Sequence, residues 1–277
     1  MSKAKYKIIV VKKSASITPH MQRITFTGDD LADFPDNYES GYVKLLFSPD
    51  GKAISDRHQT EEEHLRRTYT VRSFNRAANE LAIEFSLHGD KNGPAAAWAE
   101  STQPGDRILM AGPGPAKLVK NESDWFLLAG DMSGLPALCC NLEQLPNHAK
   151  GYAVIEVPSE ADKQDLTVPE GITVKWVISN PGENSDALLD EIKPLDWKDG
   201  DPYVWVACEF NSMKKIRQYM KDVHSIKQGN IYISSYWKFD RTEDEHRMDK
   251  RMDSMGPVRQ FIGGMVAGVQ KMGLLSR

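Results

Sequence analysis

Cysteine is scarce: the 277 residues hold only Cys139, Cys140 and Cys208. Two are adjacent, a spacing that rarely bridges, and no Cys-x-x-Cys occurs. A disulfide framework, a zinc site and a cysteine-ligated iron–sulfur cluster are therefore not expected. Any redox cofactor has to be organic or borrowed. Long apolar runs are also missing, and none approaches the ~18 to 20 residues that span a bilayer. The opening Met1-Ser-Lys-Ala-Lys-Tyr-Lys7 lacks the apolar core of a signal peptide. The expected location is the cytoplasm, without stable membrane association. Positive charge is not in excess: 35 Lys and Arg against 39 Asp and Glu leave −4, which argues against a general nucleic-acid binder. What remains is 40% hydrophobic and 27% charged, ordinary for a globular chain and long enough for two domains. A monomer is expected.

The first ~115 residues read as short strands punctuated by Gly, Pro, Asp and Asn. They are Tyr6–Val11, Gln22–Thr27, Tyr42–Phe47, Thr68–Phe74, Glu80–Leu87 and Arg107–Met110. Six such strands predict an antiparallel Greek-key barrel over residues 1–120. Residues 48–66 read as a polar insertion, expected to be a mobile loop. After Gly112-Pro-Gly-Pro115 the texture changes. Trp125-Phe-Leu-Leu-Ala129 is a continuous apolar run, as a buried parallel strand should be. Strands and helices then alternate to residue 240, which predicts a parallel sheet covered on both faces. Residues 241–277 are expected as a helical extension, polar and mixed in charge at first and apolar but glycine-rich in the tail.

One stretch is unusual for a strand that only fills a core: Arg67-Thr68-Tyr69-Thr70-Val71-Arg72-Ser73-Phe74. Its residue types favour a strand. Alternation places Arg67, Tyr69, Val71 and Ser73 on one face and Thr68, Thr70, Arg72 and Phe74 on the other. An arginine fork suits phosphate, a tyrosine ring can stack on a flat ring, and threonine can hydrogen-bond a ring nitrogen. That combination serves a flavin dinucleotide, and an exposed strand with solvated arginines is the competing reading. A second stretch, His88 to Trp98, runs through Gly89 and Gly93 into Pro94-Ala95-Ala96-Ala97-Trp98. Glycines, then proline, then alanines mark a loop entering a helix. Free N–H groups and the dipole at such a start form an anion site.

Together the two stretches resemble the flavin motifs of the siderophore-interacting proteins, Arg-x-Tyr-Thr-[Val/Pro]-Arg and His-Gly…Gly-Pro-Ala-x-x-Trp-Ala. Two extra residues stand here between His-Gly and Gly-Pro. The resemblance implies a ferredoxin-reductase-like fold: a flavin barrel followed by a nucleotide-binding α/β domain. It also implies FAD held by Arg67, Tyr69, Thr70, Val71, Arg72, His88, Gly93, Pro94, Ala95, Ala96 and Trp98.

Gly130-Asp131-Met132-Ser133-Gly134 lies where the first parallel strand turns into its helix, the place where such sheets bind nucleotides. It lacks Gly-x-Gly-x-x-Gly and resembles the family's Ala-Gly-Asp-x-[Thr/Ser] turn. Ala207-Cys208-Glu209 is similar to its Ala-Gly-Glu turn, with Cys208 in place of glycine. Ser235-Tyr236-Trp237-Lys238 resembles its Gly-Tyr-Trp-Arg segment; Ser235, Lys238 and Asp240 depart from the pattern. Gly130, Asp131, Ser133, Glu209, Tyr236 and Trp237 are thus implied contacts of a nicotinamide cofactor or the flavin. Glu160 and Asp162, after the second parallel strand, favour a free ribose 2′-hydroxyl and so NADH over NADPH.

The implied activity is reduction of ferric siderophores: hydride from NADH or NADPH to FAD, then single electrons to Fe(III). No catalytic acid, base or nucleophile is expected, because the flavin carries the chemistry. Anionic ferric chelates call for basic groups, and Lys44, Lys117 and Lys238 stand where the family keeps them. Two alternatives remain open. One is a general flavin electron transferase serving a ferredoxin-type partner. The other is a flavin- or siderophore-binding module without catalysis.

Overall fold

Runs rich in β-branched and aromatic residues build the first sheet of the computed structural model, which describes residues 6–87, 93–180, 184–224 and 226–254. Its strands are β1 (Lys7–Thr18), β2 (Met21–Thr27), β3 (Tyr42–Phe47), β4 (Leu65–Thr70), β5 (Ser73–Asn75), β6 (Glu80–Ser86) and β7 (Arg107–Gly114). They follow the order β4-β3-β7-β1-β2-β6-β5. The pairs are antiparallel. Ile9, Ile24, Phe26, Val43, Leu45, Phe47, Ile83, Phe85, Ile108 and Met110 point inward and fill the core.

Seven strands replace the six expected, because the arginine-rich stretch is not one strand. It breaks at Val71-Arg72, and its halves occupy opposite edges of the sheet. β4 pairs with β3 and β5 pairs with β6. The two residues between them close the barrel. Val71 N–H donates to the Gly41 carbonyl (2.8 Å), Ser40 N–H donates to the Val71 carbonyl (3.0 Å), and Arg72 N–H donates to the Ala82 carbonyl (3.0 Å). The break resets the alternation. Leu65, Tyr69 and Val71 face the core, and beyond the crossing it is Phe74, not Ser73, that joins them.

The insertion 48–66 is anchored rather than loose. Ile54 N–H donates to Leu46 and the Ile54 carbonyl accepts from Leu109 N–H (3.0 and 2.7 Å). Its buried side chain packs with those of Leu46 and Leu109. A reciprocal cap between Asp56 and Gln59 starts a helical turn over Arg57–Glu61.

The helix α1 (Pro94–Ser101) lies between β6 and β7. The chain then builds β8 (Trp125–Gly130), α2 (Leu135–Gln144), β9 (Lys150–Val157), β10 (Gly171–Ile178), α3 (Ala187–Ile192), β11 (Pro202–Glu209), α4 (Phe210–Val223) and β12 (Ile231–Trp237). The sheet order is β10-β9-β8-β11-β12, with β10, β9, β8 and β11 parallel. Phe126, Leu128, Ala153, Ile155, Trp205 and Ala207 face α2. Leu127, Ala129, Val154, Val204 and Val206 face α3 and α4. Burial on both faces explains the unbroken apolar strands.

The chain divides into two compact units after Tyr236. Both sheets belong to the first, apart from Trp237 at the end of β12. The second carries α5 (Glu243–Ser254), a mostly exposed helix. It starts with a reciprocal cap: Thr242 N–H donates to the Glu245 carboxylate (2.9 Å), and Glu245 N–H to Thr242 Oγ1 (3.3 Å). The glycine-rich tail lies outside the described residues.

Inside the first unit the barrel and the parallel sheet are joined around Asn141 of α2. Its Oδ1 accepts from Val119 N–H (2.8 Å), and its Nδ2 donates to the Ala137 and Lys117 carbonyls (2.8 and 3.2 Å). Trp205 Nε1 donates to the same Lys117 carbonyl (2.8 Å). Asn141 is fully buried, so its removal strands several polar groups. Asn141→Ala is expected to lower stability by about 2–4 kcal/mol. Urea unfolding of the variant against the parent checks this.

Candidate functional site

The strand β4 places Arg67 and Tyr69 two residues apart, opposite Leu45 and Val43 of β3. Thr70, opposite Tyr42, ends the strand buried. The Tyr69 ring lies 4.3 Å from that of Phe85, tilted by 41°. Phe85 in turn meets Trp98 of α1 at 6.2 Å, and Trp98 stacks on Phe26 at 6.2 Å and 8°. A row of aromatics thus ties the arginine-rich strand to the helix after the glycine loop, joining the two motifs. Ala95, Ala96 and Ala99 are buried, and their small side chains let α1 lie close on the barrel.

Gly93 precedes Pro94 at the helix start, with no atom within 4 Å of the place a Cβ would occupy. Among the described residues the start carries no side-chain cap. The Arg67 guanidinium donates to the Arg66 carbonyl (3.0 Å) and is half-buried. Along the flank of α1 runs a groove of about 710 Å³ whose lining includes Lys52, Pro94, Trp98 and Arg107. The N–H groups of a helix start, an arginine fork and an aromatic ring are what a flavin dinucleotide requires. Gly93, Arg67 and Tyr69 supply these types, and the lining of the groove along α1 does not include Arg67 or Tyr69. His88 lies outside the described residues.

Arg72 is placed differently from Arg67. Its fork closes on Glu143 of α2 (2.9 and 2.5 Å), and Glu84 lies 3.7 Å from its Nε. Arg23 shares Glu84 (2.9 Å). Arg23 and Arg72 line a polar cavity of about 410 Å³ that also includes Glu143, Lys163 and Gln164. The thiol of Cys140 reaches the Val71 and Arg72 carbonyls (3.6 and 3.4 Å). Burial pushes the Cys140 thiol up to about 11, so it stays protonated.

At the switch point of the parallel sheet, β8 has β9 on one side and β11 on the other. The turn after β8 is pressed onto β11. A Cβ on Gly134 would lie 2.1 Å from the Ala207 carbonyl oxygen, and one on Gly130 would lie 2.8 Å from it. Only glycine fits. Asp131, buried, accepts from Ser133 N–H (2.9 Å), Ser133 Oγ (2.6 Å) and Gly134 N–H (3.2 Å) with one oxygen. Its other oxygen accepts from Glu209 N–H (2.8 Å). Glu209, also buried, caps α4 by accepting from Ser212 N–H (3.1 Å). Asp131, Ser133 and Glu209 are thus brought together, with each carboxylate shaping a turn. Tyr236 is half-buried and packs against the α2-side core. Trp237 opens the second unit.

Sequence reasoning missed Glu156, although a lone acid in the apolar strand Gly151-Tyr-Ala-Val-Ile-Glu-Val157 was a readable signal. It is 1% exposed, and its Oε1 has no hydrogen-bond partner. Burial, reinforced by Asp131 and Glu209, raises its pKa to about 8. The two acids expected to meet a ribose are otherwise engaged. Asp162 is fully buried and accepts from His20 and Ser159, and Glu160 pairs with Lys163 (2.6 Å). Asp162 therefore drops out of the basis for a preference for NADH over NADPH, which rests on the exposed Glu160 alone. Of the three lysines, Lys44 lies on β3 opposite Thr68. Lys117 is half-buried on the linker, and Lys238 pairs with Asp249 (2.7 Å) in the second unit.

Both halves of this architecture match described families. A model of the siderophore-interacting FAD-binding domain matches residues 10–117, and one of the siderophore-interacting protein matches residues 123–240. The chain belongs to the siderophore-interacting protein family. It is similar to ferric vibriobactin reductase ViuB of Vibrio cholerae, 30% identical over 246 residues, covering 85% of this chain and 90% of that one. The NADPH-dependent ferric-chelate reductase of Escherichia coli is 26% identical over 246 residues, 84% of this chain and 93% of that one. The crystal structure of the siderophore-interacting protein SipS from Aeromonas hydrophila superimposes with a TM-score of 0.81 at 30% identity, covering 91% of this chain and 98% of that one. No helix among the described residues is long and apolar enough to cross a membrane.

A carboxyl whose pKa is higher folded than unfolded binds protons on folding, so its effect on stability worsens as pH rises. For Glu156 the window runs from about 4.5 to about 8. Glu156→Gln should match or slightly trail the parent at pH 4.5 and exceed it by a few kcal/mol at pH 8. Urea unfolding at both pH values checks the crossing.

Proposed function

We propose that this chain is a flavin-dependent reductase of ferric siderophores supplied by a reduced nicotinamide nucleotide. The observation that carries it is the presence within one unit of two features: a glycine-proline helix start whose Trp98 is linked through Phe85 to Tyr69 of the arginine-bearing strand, and a glycine-acid turn at a parallel-sheet switch point. Family membership and the reductase names of the relatives support it. The bound flavin supplies the redox chemistry, accepting a hydride and passing electrons on singly, which side chains cannot do.

The chain's own residues bind, orient and steer. Arg67 and the N–H groups at Gly93–Ala96 hold the pyrophosphate. Tyr69, half-buried and braced by Phe85, offers the exposed part of its ring to the flavin, and Thr70 and Val71, buried behind it, hold the strand end in place. The backbone at Gly130–Gly134 receives the nicotinamide nucleotide, and its close approach to β11 depends on the two glycines. Arg72 acts through Glu143, by fixing α2 against the closing residues of the barrel. Lys44 and Lys117 of the first unit, and separately Lys238 of the second, each add positive charge that favours an anionic ferric chelate. Reduction to Fe(II) weakens its hold on hard oxygen ligands, and the iron is released. The reading places a monomer in the cytoplasm.

Arg67→Ala removes a charge-assisted phosphate contact worth about 1.5–3 kcal/mol, so the FAD dissociation constant should rise roughly 10- to 150-fold. Binding of FMN, which has no pyrophosphate, should change far less. Fluorescence titration with each flavin measures both. An equal loss for FMN would remove Arg67 from the pyrophosphate.

A further inference from the structure

The barrel and the parallel sheet are tied at several places. Asn141, Cys140 and Glu143 all lie on α2, so the contacts through Lys117, Val71 and Arg72 gather along one helix. Trp205 of β11 reaches the same Lys117 carbonyl, and Met21 of β2 packs in the α2-side core. One polar tie lies away from both α2 and the linker. His20, in the turn between β1 and β2, donates its backbone N–H to Asp162 Oδ1 (2.9 Å), and its Nδ1 lies 2.8 Å from Asp162 Oδ2. Ser159 Oγ donates to that same Oδ2 (2.6 Å). Asp162 is fully buried in the turn after β9, and His20 is 38% exposed.

His20 also reaches toward the flavin side. Its carbonyl accepts from Leu87 N–H (3.0 Å), the residue that follows β6. From there the chain proceeds to Gly93 and the start of α1. One residue thus bridges the turn after β9 to the end of the strand leading toward the flavin motif. A seam along one helix permits rocking about it, whereas a second attachment away from that helix fixes the angle.

We infer that His20 is a positioning residue: with Asp162 it clamps the nucleotide half of the site to the flavin half and sets the approach of nicotinamide to flavin. The inference rests on the flavin-reductase reading. Hydride transfer demands contact distances, and a misplacement of about 1 Å can cost roughly a hundredfold in rate. The ring nitrogen of the clamp is specific. Asparagine places its amide nitrogen near the position of Nδ1, whereas glutamine places it near Nε2, which does not face Asp162.

The test compares His20→Asn and His20→Gln as FAD-loaded proteins. Stopped-flow absorbance follows flavin reduction at saturating NADPH and NADH, together with the long-wavelength charge-transfer band. Amide exchange by mass spectrometry follows residues 84–87 and 159–163. For the glutamine variant the expected result is a limiting rate slowed about tenfold or more and a weakened charge-transfer band. Exchange should quicken in both segments, with FAD affinity within about threefold of the parent. The asparagine variant should match the parent in all of these. Indistinguishable variants, or a glutamine variant reduced at the parental rate, would overturn the clamp. So would a loss of FAD affinity large enough to explain the slowing. If neither nucleotide reduces the parent protein, it is the reductase reading that fails. The exchange contrast between the two variants then decides the clamp alone.

Discussion

Everything in the flavin half depends on a two-residue crossing. Val71 and Arg72 carry the chain from one edge of the first sheet to the other, and their backbone bonds to Gly41, Ser40 and Ala82 replace the missing ladder. An open edge would expose unpaired N–H and C=O groups, and closure removes them. The crossing also fixes which side chains look inward. Tyr69 meets Phe85 because β4 ends where it does, and Arg72 meets Glu143 because the chain has turned by then. The helix α2 rests on these residues through Cys140 and Asn141, so barrel closure and attachment of the parallel sheet share one set of contacts.

The nucleotide half is shaped by backbone proximity. Gly130 and Gly134 bring the turn after β8 against Ala207, and Asp131 then spans the gap to Glu209 N–H. Burying Asp131, Glu156 and Glu209 together is costly, and the structure meets the cost unevenly. Two of the acids are satisfied by amides, while Glu156 keeps an oxygen without a partner and holds its proton near neutrality.

Much of the architecture was legible in the sequence because it is written in local pattern. The run Trp125–Ala129 reads as a buried parallel strand, and Pro94 after Gly93 reads as a helix start. The stretch Arg67–Phe74 was misread as one strand because Thr, Tyr and Val favour extended backbone on both sides of the break. Nothing local records that the halves pair with different neighbours. Asp162 was misread for a similar reason: its partner His20 is 142 residues away. Nor does anything local record that the fork of Arg72 closes on Glu143, 71 residues on. Long-range pairing is what a single sequence hides.

The central claim is that electrons pass from a nicotinamide nucleotide through FAD to chelated Fe(III). Its most direct test is anaerobic. The FAD-loaded protein is reduced with a measured amount of NADPH or NADH, and a ferric catecholate chelate is added with a colorimetric Fe(II) trap. The account predicts bleaching of the flavin by the nucleotide and then about two Fe(II) released per bound flavin as the colour returns. A flavin that stays oxidised with both nucleotides, or that reoxidises without Fe(II) in the trap, would contradict it.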